Sequence, residues 1–392
     1  MRIGVARERL PGEARVALVP EVVGKLKTAG YEIAVEPDAG RLALVTDEAY
    51  AAAGVAVTEN ALLEADVVVS VQPLAEAALR SLPEGAATIS FYPPAARAAD
   101  LALRQERGLV TFGMEYVPRI SRAQSMDALS SQSLVAGYRA AIVTAGRLRQ
   151  FFPLSMTAAG TVPPAQVVVL GAGVAGLQAI ATCRRLGAVV KGYDVRAAAA
   201  EEIRSMGASA IELDLPTLDG AGGYAREMTE DRAARQRELL TPYIAAADAL
   251  ITTAAVPGRQ APLLVTTDMV KQMKPGSVVV DLAAESGGNV EGVVAGDVRQ
   301  VEGVQLWGGA NVPSQMPGPA SRLYAQNVTN VILLMTREQK FDPDHDDEVV
   351  AAMCVGRVSG EKSTSGEFSP ADRPTGVENS TSGDFSPREG RR

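Results

Sequence analysis

The sequence predicts an α/β protein with two domains, each built on a parallel sheet, and a disordered C-terminal tail. Short β-branched runs alternate with helical segments over residues 1–113 and again over 166–308, which is typical of parallel sheets covered by helices. A glycine-rich turn joins a strand to a helix inside the second stretch. Residues 359–392 contain the segment STSGEFSP and its near copy STSGDFSP, and a composition rich in Ser, Gly and Pro favours disorder.

Length, charge and cysteine content exclude several classes of protein. The chain has 392 residues, enough for two domains that bury a large core. The formal net charge of -8 gives nucleic-acid binding no electrostatic support. Cys183 and Cys354 are too few for a disulfide framework or a cysteine zinc site, so we predict no metal. No uninterrupted apolar run reaches the roughly 18 residues of a membrane span, and we expect a cytoplasmic protein.

The first stretch predicts a βα domain without a glycine fingerprint. Its strands are expected over 1–6, 31–36, 55–57, 66–71, 87–91 and 109–113, and its helices over 20–29, 47–53 and 98–107. The first of these helices begins with a proline and ends near a glycine, the usual asymmetry of helix termini.

A polar stretch, residues 118–133, follows this domain. Its side chains include Arg119, Arg122, Gln124 and Asp127 together with several hydroxyls. Two interpretations stay open. The stretch is a polar loop that leads into a helix over 134–150, with Ser130 or Ser131 near the cap, or it is a set of donors and acceptors able to hold an amide or a ribose.

The most informative stretch, residues 166–196, contains a strand, a glycine turn, a helix, a second strand and an acid in that order. Residues 167–170 are apolar and mostly β-branched, as in a parallel strand buried on both faces. The turn carries three glycines at G-x-G-x-x-G spacing, Gly171, Gly173 and Gly176. This order and spacing predict a Rossmann-like unit that binds a dinucleotide.

Each part of this unit has a physical role. Gly171 permits the tight turn, Gly173 lets the backbone approach a pyrophosphate, and Gly176 lets the helix pack closely on the strand. The N-terminus of the helix offers N–H groups and a partial positive charge to the phosphates. Asp194 can accept hydrogen bonds from the adenosine ribose and would repel a 2′-phosphate, which favours NAD(H) over NADP(H). Arg196 works against this preference, since an arginine near this position suits NADP.

Residues 216–238 form a long polar segment within the second domain. Glycines including Gly222 and Gly223 flank a lone Tyr224, and a charged helix is expected over 227–239. Inserted segments of this length are usually functional lids or disordered. A lid that closes over a ring and a plain flexible loop both remain open as interpretations.

The later elements complete two domains. Helices are expected over 198–206 and 267–273, strands over 210–213, 248–254, 278–282 and 304–308, and a last helix over 318–337 that returns to the first domain. We therefore predict an N-terminal domain over 1–133 and 310–358, an NAD(H)-binding Rossmann domain over 134–309, and a tail over 359–392. The fold class is α/β: two Rossmann-like domains with parallel sheets, linked by long helices, plus the disordered tail.

The chain contains one histidine, His345, inside the acidic segment 341–348. We expect it to be a solvated surface residue. The folded body then offers no histidine as a general base.

Four segments carry a resemblance to a known family. They are residues 118–127 (PRISRAQSMD), 156–165 (MTAAGTVPPA), 173–182 (GVAGLQAIAT) and 222–228 (GGYAREM). With them, residues 1 to about 358 resemble the NAD(H)-binding domain I, or first α subunit, of proton-translocating nicotinamide nucleotide transhydrogenase; the repeated tail lies outside the resemblance.

The resemblance implies roles for individual residues. Arg119, Gln124, Asp127 and Ser130 match the loop that holds the nicotinamide and its ribose, and Gln124 would also reach the second nucleotide. Tyr224 matches a tyrosine on a mobile loop that closes over NAD(H). Further nucleotide contacts are implied for Gly223, Gln236 and Ala255, for Asp194, Val195 and Arg196 at the adenosine end, and for Val174 and Ala175 at the pyrophosphate turn.

The resemblance also implies a reaction and partners. NADH bound here would pass a hydride directly to NADP⁺ on a partner NADP(H)-binding domain, and a partner membrane domain would couple this step to proton translocation. A homodimer, attached to the inner membrane through its partners, is implied as well. Alternatives are an alanine-type dehydrogenase and a non-catalytic NAD(H)-sensing module.

Alanine dehydrogenases resemble this chain at residues 8–20, including Arg15. They need a lysine where this chain has residues 71–73, VQP, and a histidine where it has 91–94, FYPP. Amino-acid oxidation moves protons as well as a hydride and needs a general acid or base, whereas exchange between two nicotinamides needs only their alignment. The missing lysine and histidine favour transhydrogenation.

Overall fold

The computed structural model describes residues 1–215, 229–255 and 258–356. The segment with Gly223 and Tyr224 and the tail over 359–392 lie outside the described residues. Within the described ranges, helices alternate with the strands of two seven-stranded sheets. The predicted α/β class is confirmed.

The strands are short, and those that the sequence predicts are present. They are β1 (Arg2–Val5), β2 (Glu32–Val35), β3 (Ala56–Val57), β4 (Val67–Val69), β5 (Ala87–Ser90), β6 (Val110–Gly113), β7 (Ser155–Thr157), β8 (Gly160–Val162), β9 (Gln166–Leu170), β10 (Val189–Tyr193), β11 (Ser209–Ala210), β12 (Ala249–Thr252), β13 (Val278–Asp281), β14 (Val298–Val301), β15 (Val304–Gly308), β16 (Thr336–Arg337), β17 (Lys340–Phe341) and β18 (Cys354–Gly356). Of these, β7, β8, β14, β16, β17 and β18 are additional to the predicted strands.

The helices differ widely in length. They are α1 (Pro20–Thr28), α2 (Asp47–Ala52), α3 (Glu76–Ser81), α4 (Pro94–Glu106), α5 (Ala128–Arg147), α6 (Val174–Arg185), α7 (Ala199–Ser205), α8 (Glu230–Ala246), α9 (Thr267–Lys271), α10 (Pro317–Leu334) and α11 (Glu348–Met353). None within the described residues is both long enough and hydrophobic enough to cross a membrane.

Both large sheets are mainly parallel. The first has the order β18-β6-β5-β4-β1-β2-β3 and the second β11-β10-β9-β12-β13-β15-β14. One edge of each is antiparallel, where β18 pairs with β6 and β14 with β15. The predicted parallel sheets are confirmed, with one antiparallel pair added at an edge of each. Glu302 and Gly303, which connect β14 to β15, both have positive φ, the geometry of a two-residue hairpin turn.

The second sheet has a topological switch point between β9 and β12. From β9 the chain continues to β10 and β11 on one side, and β12 leads to β13 and β15 on the other. Doubly wound sheets bind ligands in the crevice outside the carboxyl ends of the strands at such a point. The residues that follow Leu170 and Thr252 therefore mark the candidate site.

Two long helices connect the sheets. α5 leads from the first sheet to the second, and α10 returns and packs Tyr324, Val328 and Val331 into the first core, as the sequence predicts. α5 crosses α6 so closely that a Cβ on Gly137 would lie 2.1 Å from the carbonyl oxygen of Ala175. Only glycine allows this approach.

Candidate functional site

The glycine turn after β9 has the geometry that its spacing predicts. Gly171 has φ of 97°, in the left-handed region that favours glycine. A Cβ on Gly176 would lie 1.8 Å from the carbonyl oxygen of Gly171, so a side chain there would force α6 away from β9. These two glycines make the turn tight and bring the helix onto the sheet.

The N-terminus of α6 faces open space. Gly173 is the N-cap residue, and no side chain caps the helix. A Cβ on Gly173 would meet nothing within 4 Å, and the next residue, Val174, is 38% exposed. The room above Gly173 and the N–H groups of the first turn, which includes Ala175, fit a pyrophosphate.

Asp194 follows β10 and ties it to the glycine turn. Its Oδ2 accepts the N–H of Ala172 at 2.8 Å. Its Oδ1 accepts the backbone N–H of Arg196 at 3.0 Å and Nε of the same residue at 2.9 Å, and Nη2 donates to Oδ2 at 3.1 Å. The guanidinium is thus engaged with Asp194. The ribose contact of Asp194 and the nucleotide contact of Val195, which packs against the core, stay predictions.

Two buried polar residues that the sequence did not single out shape the other side of the crevice. Asn289 accepts the N–H of Ala254 at 2.9 Å and donates to the carbonyl oxygen of the same residue at 2.7 Å. Asp281 accepts the N–H of Asn289 at 2.8 Å, and Thr253 Oγ1 donates to the carbonyl oxygen of Gly171 at 3.1 Å. Together they fix the end of β12 against the glycine turn.

The polar stretch after β6 is a well-anchored short helical loop. Residues Ser121–Met126 form a 3₁₀ helix whose Ala123 and Met126 are buried. Its exposed Arg122 forms ion pairs with Asp347 at 2.9 Å and Glu348 at 3.2 Å. On the other side, two asparagine amides of α10, from Asn327 and Asn330, donate to the carbonyl oxygen of Ser125 at 2.9 Å each.

The helix after this loop starts earlier than predicted. α5 begins at Ala128 rather than at residue 134, and neither serine caps it. Asp127 is the N-cap: its Oδ1 accepts the N–H of Ser130 at 2.8 Å, and the Ser130 hydroxyl donates to its Oδ2 at 2.5 Å. A carboxylate satisfies the free N–H groups and complements the helix dipole.

Of the four residues in and after this loop that are predicted to hold the nicotinamide, two have exposed side chains. Arg119 and Gln124 are exposed, whereas Asp127 and Ser130 are half-buried beside them. The loop and the glycine turn lie at different places along α5. From Asp127 to Gly137, where α5 contacts α6, the helix covers about 15 Å. The structure therefore gathers the predicted residues into two groups that α5 holds apart.

Two further residues predicted to contact the nucleotide, Gln236 and Ala255, differ in burial. Gln236 is 1% exposed, and its Oε1 accepts the hydroxyl of Tyr193 at 3.1 Å and Nη1 of Arg232 at 3.2 Å. Burial raises the pKa of Tyr193 to about 12, so this hydroxyl stays protonated. Ala255 is exposed and follows Ala254 directly. The nucleotide contacts of both Gln236 and Ala255 stay predictions.

A buried ion pair lies at the carboxyl edge of the first sheet. Arg15 donates to Glu13 from Nε at 2.8 Å and from Nη2 at 2.7 Å. Burial alone would raise the pKa of Glu13, but the bonds and charge of Arg15 outweigh it and lower that pKa to about 2. Gln72 donates to the same carboxylate at 2.8 Å.

At the two places where alanine dehydrogenases carry lysine and histidine, the side chains of this protein bond to its own residues. Gln72 stands in the first, bonded to Glu13. In the second, Tyr92 is fully buried, its hydroxyl donates to Asp100, and the Arg104 guanidinium lies 4.5 Å from its ring centroid. These contacts hold the fold of the first domain together.

The single histidine is less solvated than expected. His345 is half-buried, and its ring stacks on Phe112 with centroids 6.4 Å apart. Phe112 belongs to β6, and its ring is fully buried, so the apolar surface beside it draws the imidazole inward.

Comparison with known protein families covers almost all of the described chain. The N-terminal domain of the alanine dehydrogenase/PNT family matches residues 4–136, and its C-terminal domain matches residues 140–361. The first part of the NAD(P) transhydrogenase α subunit from Rhodospirillum rubrum is 45% identical over 376 residues, which cover 91% of this chain and 96% of that protein. This chain belongs to the NAD(P) transhydrogenase α subunits. It is therefore a transhydrogenase subunit with Rossmann-type domains, and the resemblance of its motifs is confirmed.

Other relatives show that this chain is more similar to transhydrogenases than to an alanine dehydrogenase. The transhydrogenase α subunit of Haemophilus influenzae is 40% identical and matches 95% of this chain, but this covers only 74% of that longer protein. The crystal structure of transhydrogenase from Sinorhizobium meliloti has a TM-score of 0.84 at 42% identity and covers 91% of this chain and 99% of that one. An L-alanine dehydrogenase structure reaches 0.76 at 26% identity, over 91% and 96% of the two chains.

Proposed function

We propose that this subunit binds NADH across the two groups of residues and presents its nicotinamide to NADP⁺ on a partner domain. The hydride passes directly from one nicotinamide to the other. A partner membrane domain couples the exchange to proton translocation, so we assign the subunit to the cytoplasmic face of the inner membrane.

This proposal rests mainly on the loop after β6, whose backbone is held in place while two of its polar side chains are exposed. Its buried residues and its bonds to α10 and α11 hold the backbone, while Arg119 and Gln124 extend outward. A rigid loop with exposed donors can orient a bound amide on one side and meet a second nucleotide on the other. Alignment of this kind is what hydride exchange between two nicotinamides requires.

We assign the residues as follows. The pyrophosphate lies above Gly173, at the N-terminus of α6, and the adenosine ribose lies near Asp194. Asp127 and Ser130, already bonded to each other, hold the nicotinamide ribose or amide. Gly223 and Tyr224 close over the cofactor.

Hydride exchange between two nicotinamides is compatible with a chain that offers no histidine as a general base. The reaction moves no proton at the reacting carbon, so it needs no general base. The chain's one histidine stacks on Phe112, and Arg15 is engaged with Glu13. An amino-acid dehydrogenase would need a free cation for its substrate and a group to accept a proton.

A homodimer is supported by the hairpin of β7 and β8. The hairpin and the segment before it expose large apolar side chains: Phe151 at 57%, Leu154 at 54%, Met156 at 74% and Val162 at 38%. The hairpin residues 155–162 include no charged side chain. Exposed apolar surface of this kind marks interfaces between subunits, and a second copy of this chain is the partner we propose.

A reconstitution with Gln124→Asn tests the proposed function. The full chain is mixed with a purified NADP(H)-binding transhydrogenase domain, NADH, NADP⁺ and an oxidised NAD analogue whose reduction is followed by absorbance. We expect turnover only in the mixture. Shortening Gln124 should slow it about a hundredfold, because a displacement of about 1 Å misaligns the rings, while NADH affinity changes little.

The control is Gln272→Asn, the same substitution at an exposed glutamine bonded to Asp268 on α9, which should leave the rate unchanged. Equal losses of NADH affinity and rate in Gln124→Asn would refute the role of Gln124. Saturable NADH binding without turnover would favour the sensing module, and turnover with alanine in the absence of a partner would favour the dehydrogenase.

A further inference from the structure

The chain crosses from the second sheet back to the first at Asn311. This residue lies between β15 and α10 and has φ of 39° and ψ of 48°, a left-handed conformation. Residues other than glycine adopt this region uncommonly, with asparagine among the few that are enriched there. The backbone therefore turns sharply at the point where the two halves of the molecule join.

The side chain of Asn311 contacts both members of the buried ion pair. Its Nδ2 donates to Oε2 of Glu13 at 3.0 Å and to the carbonyl oxygen of Gly12 at 3.2 Å. Its Oδ1 accepts Nη2 of Arg15 at 3.2 Å. A neutral amide with one donor and one acceptor end is thus matched to a carboxylate and a guanidinium.

The same ion pair also contacts the other connection between the sheets. Nη1 of Arg15 donates to Oε1 of Gln132 on α5 at 2.9 Å. Ser314, just after the crossover, donates to Oε1 of Glu13 at 3.0 Å and accepts the N–H of Ala14 at 2.6 Å. One pair, with 1% of Glu13 and 4% of Arg15 exposed, therefore touches both connections.

The second sheet reaches this cluster through Glu285. This residue follows β13, and its Oε2 accepts the backbone N–H of Asn311 at 3.1 Å. A rotation of one sheet against the other must move α5 or the crossover relative to residues 12–15. Either motion breaks bonds to a buried charge, which is costly.

We propose that Asn311, with Glu13 and Arg15, is an interdomain latch that sets the angle between the two sheets. The latch positions the nicotinamide-binding loop, at one end of α5, relative to the glycine turn that α5 contacts at Gly137. Asn311 is a positioning residue that does not touch the cofactor. The inference rests on the proposed function: its effect on binding needs NADH to lie across both groups of residues, and its effect on hydride transfer also needs the partner domain.

Asn311→Asp in the full chain tests the latch. It keeps the size of the side chain and its tolerance of the left-handed region, but it puts a second carboxylate against Glu13. We measure affinities for AMP, which needs only the second sheet, and for NADH, which needs both groups of residues. AMP affinity should stay within about twofold, NADH affinity should fall about tenfold, and hydride transfer in the reconstituted mixture should fall about a hundredfold.

Two further variants separate the latch from simple loss of folding. Asn311→Asp combined with Glu13→Gln moves the carboxylate from one residue to the other and keeps both an amide and a carboxylate beside Arg15. This double variant should recover at least about tenfold of the lost transfer, the coupling that a double-mutant cycle detects. Asn311→Gly keeps the backbone turn and removes the amide, so it should lower NADH affinity but not AMP affinity.

Several results would overturn the latch. These are a fall in AMP affinity equal to that in NADH affinity, no rescue by the double variant, or unchanged NADH affinity in both single variants. If the wild-type chain itself fails to transfer hydride, the proposed function fails. The ratio of AMP to NADH affinity still decides the latch in that case, because it needs no partner.

Discussion

Gly137→Ala should separate α5, the helix that connects the two sheets, from α6, the helix that we propose binds the pyrophosphate. The new Cβ would lie 2.1 Å from the carbonyl oxygen of Ala175 and 2.8 Å from its carbonyl carbon. Ordinary carbon–oxygen contacts are about 3.3 Å or longer, so α5 and α6 must part by about 1 Å. Overpacking of this kind costs about 1–3 kcal/mol, and the better helix propensity of alanine returns about 0.5–1 kcal/mol of that.

We therefore expect the free energy of unfolding to fall by up to roughly 2.5 kcal/mol, and NADH affinity to fall about tenfold because Ala175 lies in the first turn of α6. Unfolding in urea can be followed by the fluorescence of Trp307, the chain's single tryptophan. The control is Gly146→Ala on the same helix, where a Cβ meets nothing within 4 Å. It should stabilise the protein by about 0.5–1 kcal/mol and leave NADH affinity unchanged. The reasoning fails if both variants shift stability in the same direction and bind NADH equally.

Two more predictions concern charged groups. Burial raises the pKa of Glu8 from 4.5 to about 7, so ionising it as the pH rises through this window costs the folded state up to roughly 3 kcal/mol. In urea unfolding, the free energy of unfolding of Glu8→Gln relative to the wild type should therefore be larger at pH 8 than at pH 5. An equal difference at both pH values would show that the pKa of Glu8 is not raised. Asp194→Asn removes the charge that we propose repels a 2′-phosphate, so the preference for NADH over NADPH should fall about tenfold in fluorescence titrations. An unchanged preference would show that other residues select the cofactor.

The fingerprint unit was the part of the fold best predicted from the sequence. Strand, turn and helix each carry a local signal, and the glycines act through backbone sterics that do not depend on distant residues. The conformations of Gly171 and Gly176 follow from this. The antiparallel edges were missed because β14 is largely exposed and β18 has only three residues, so neither gives a clear hydrophobic pattern.

The start of α5 was missed for a different reason. Residues 128–133 include three serines, which lower helix propensity. The Asp127 cap and the packing of buried Ala128 and Gln132 override that propensity. The signal that could have found this start is an acid followed three residues later by a hydroxyl, because the carboxylate can accept both its N–H and its O–H.

Residues whose role depends on long-range contacts could not be predicted. Asn289 and Asp281 lie in a loop and at a strand end, and nothing in their neighbours in sequence indicates that they hold Ala254. Asn311 contacts residues almost 300 positions earlier in the chain. Such polar contacts across the fold have no periodicity, and only the structure reveals them.

Direct passage of a hydride between the two nicotinamides can be tested by isotope transfer. NADH carrying deuterium at the transferred position of C4 is mixed with the full chain, the NADP(H)-binding partner domain and NADP⁺ in ordinary water. We expect the NADPH formed to carry the deuterium and no deuterium to enter the solvent. Unlabelled NADPH, or deuterium in the water, would contradict direct transfer and require a group on the protein that exchanges protons.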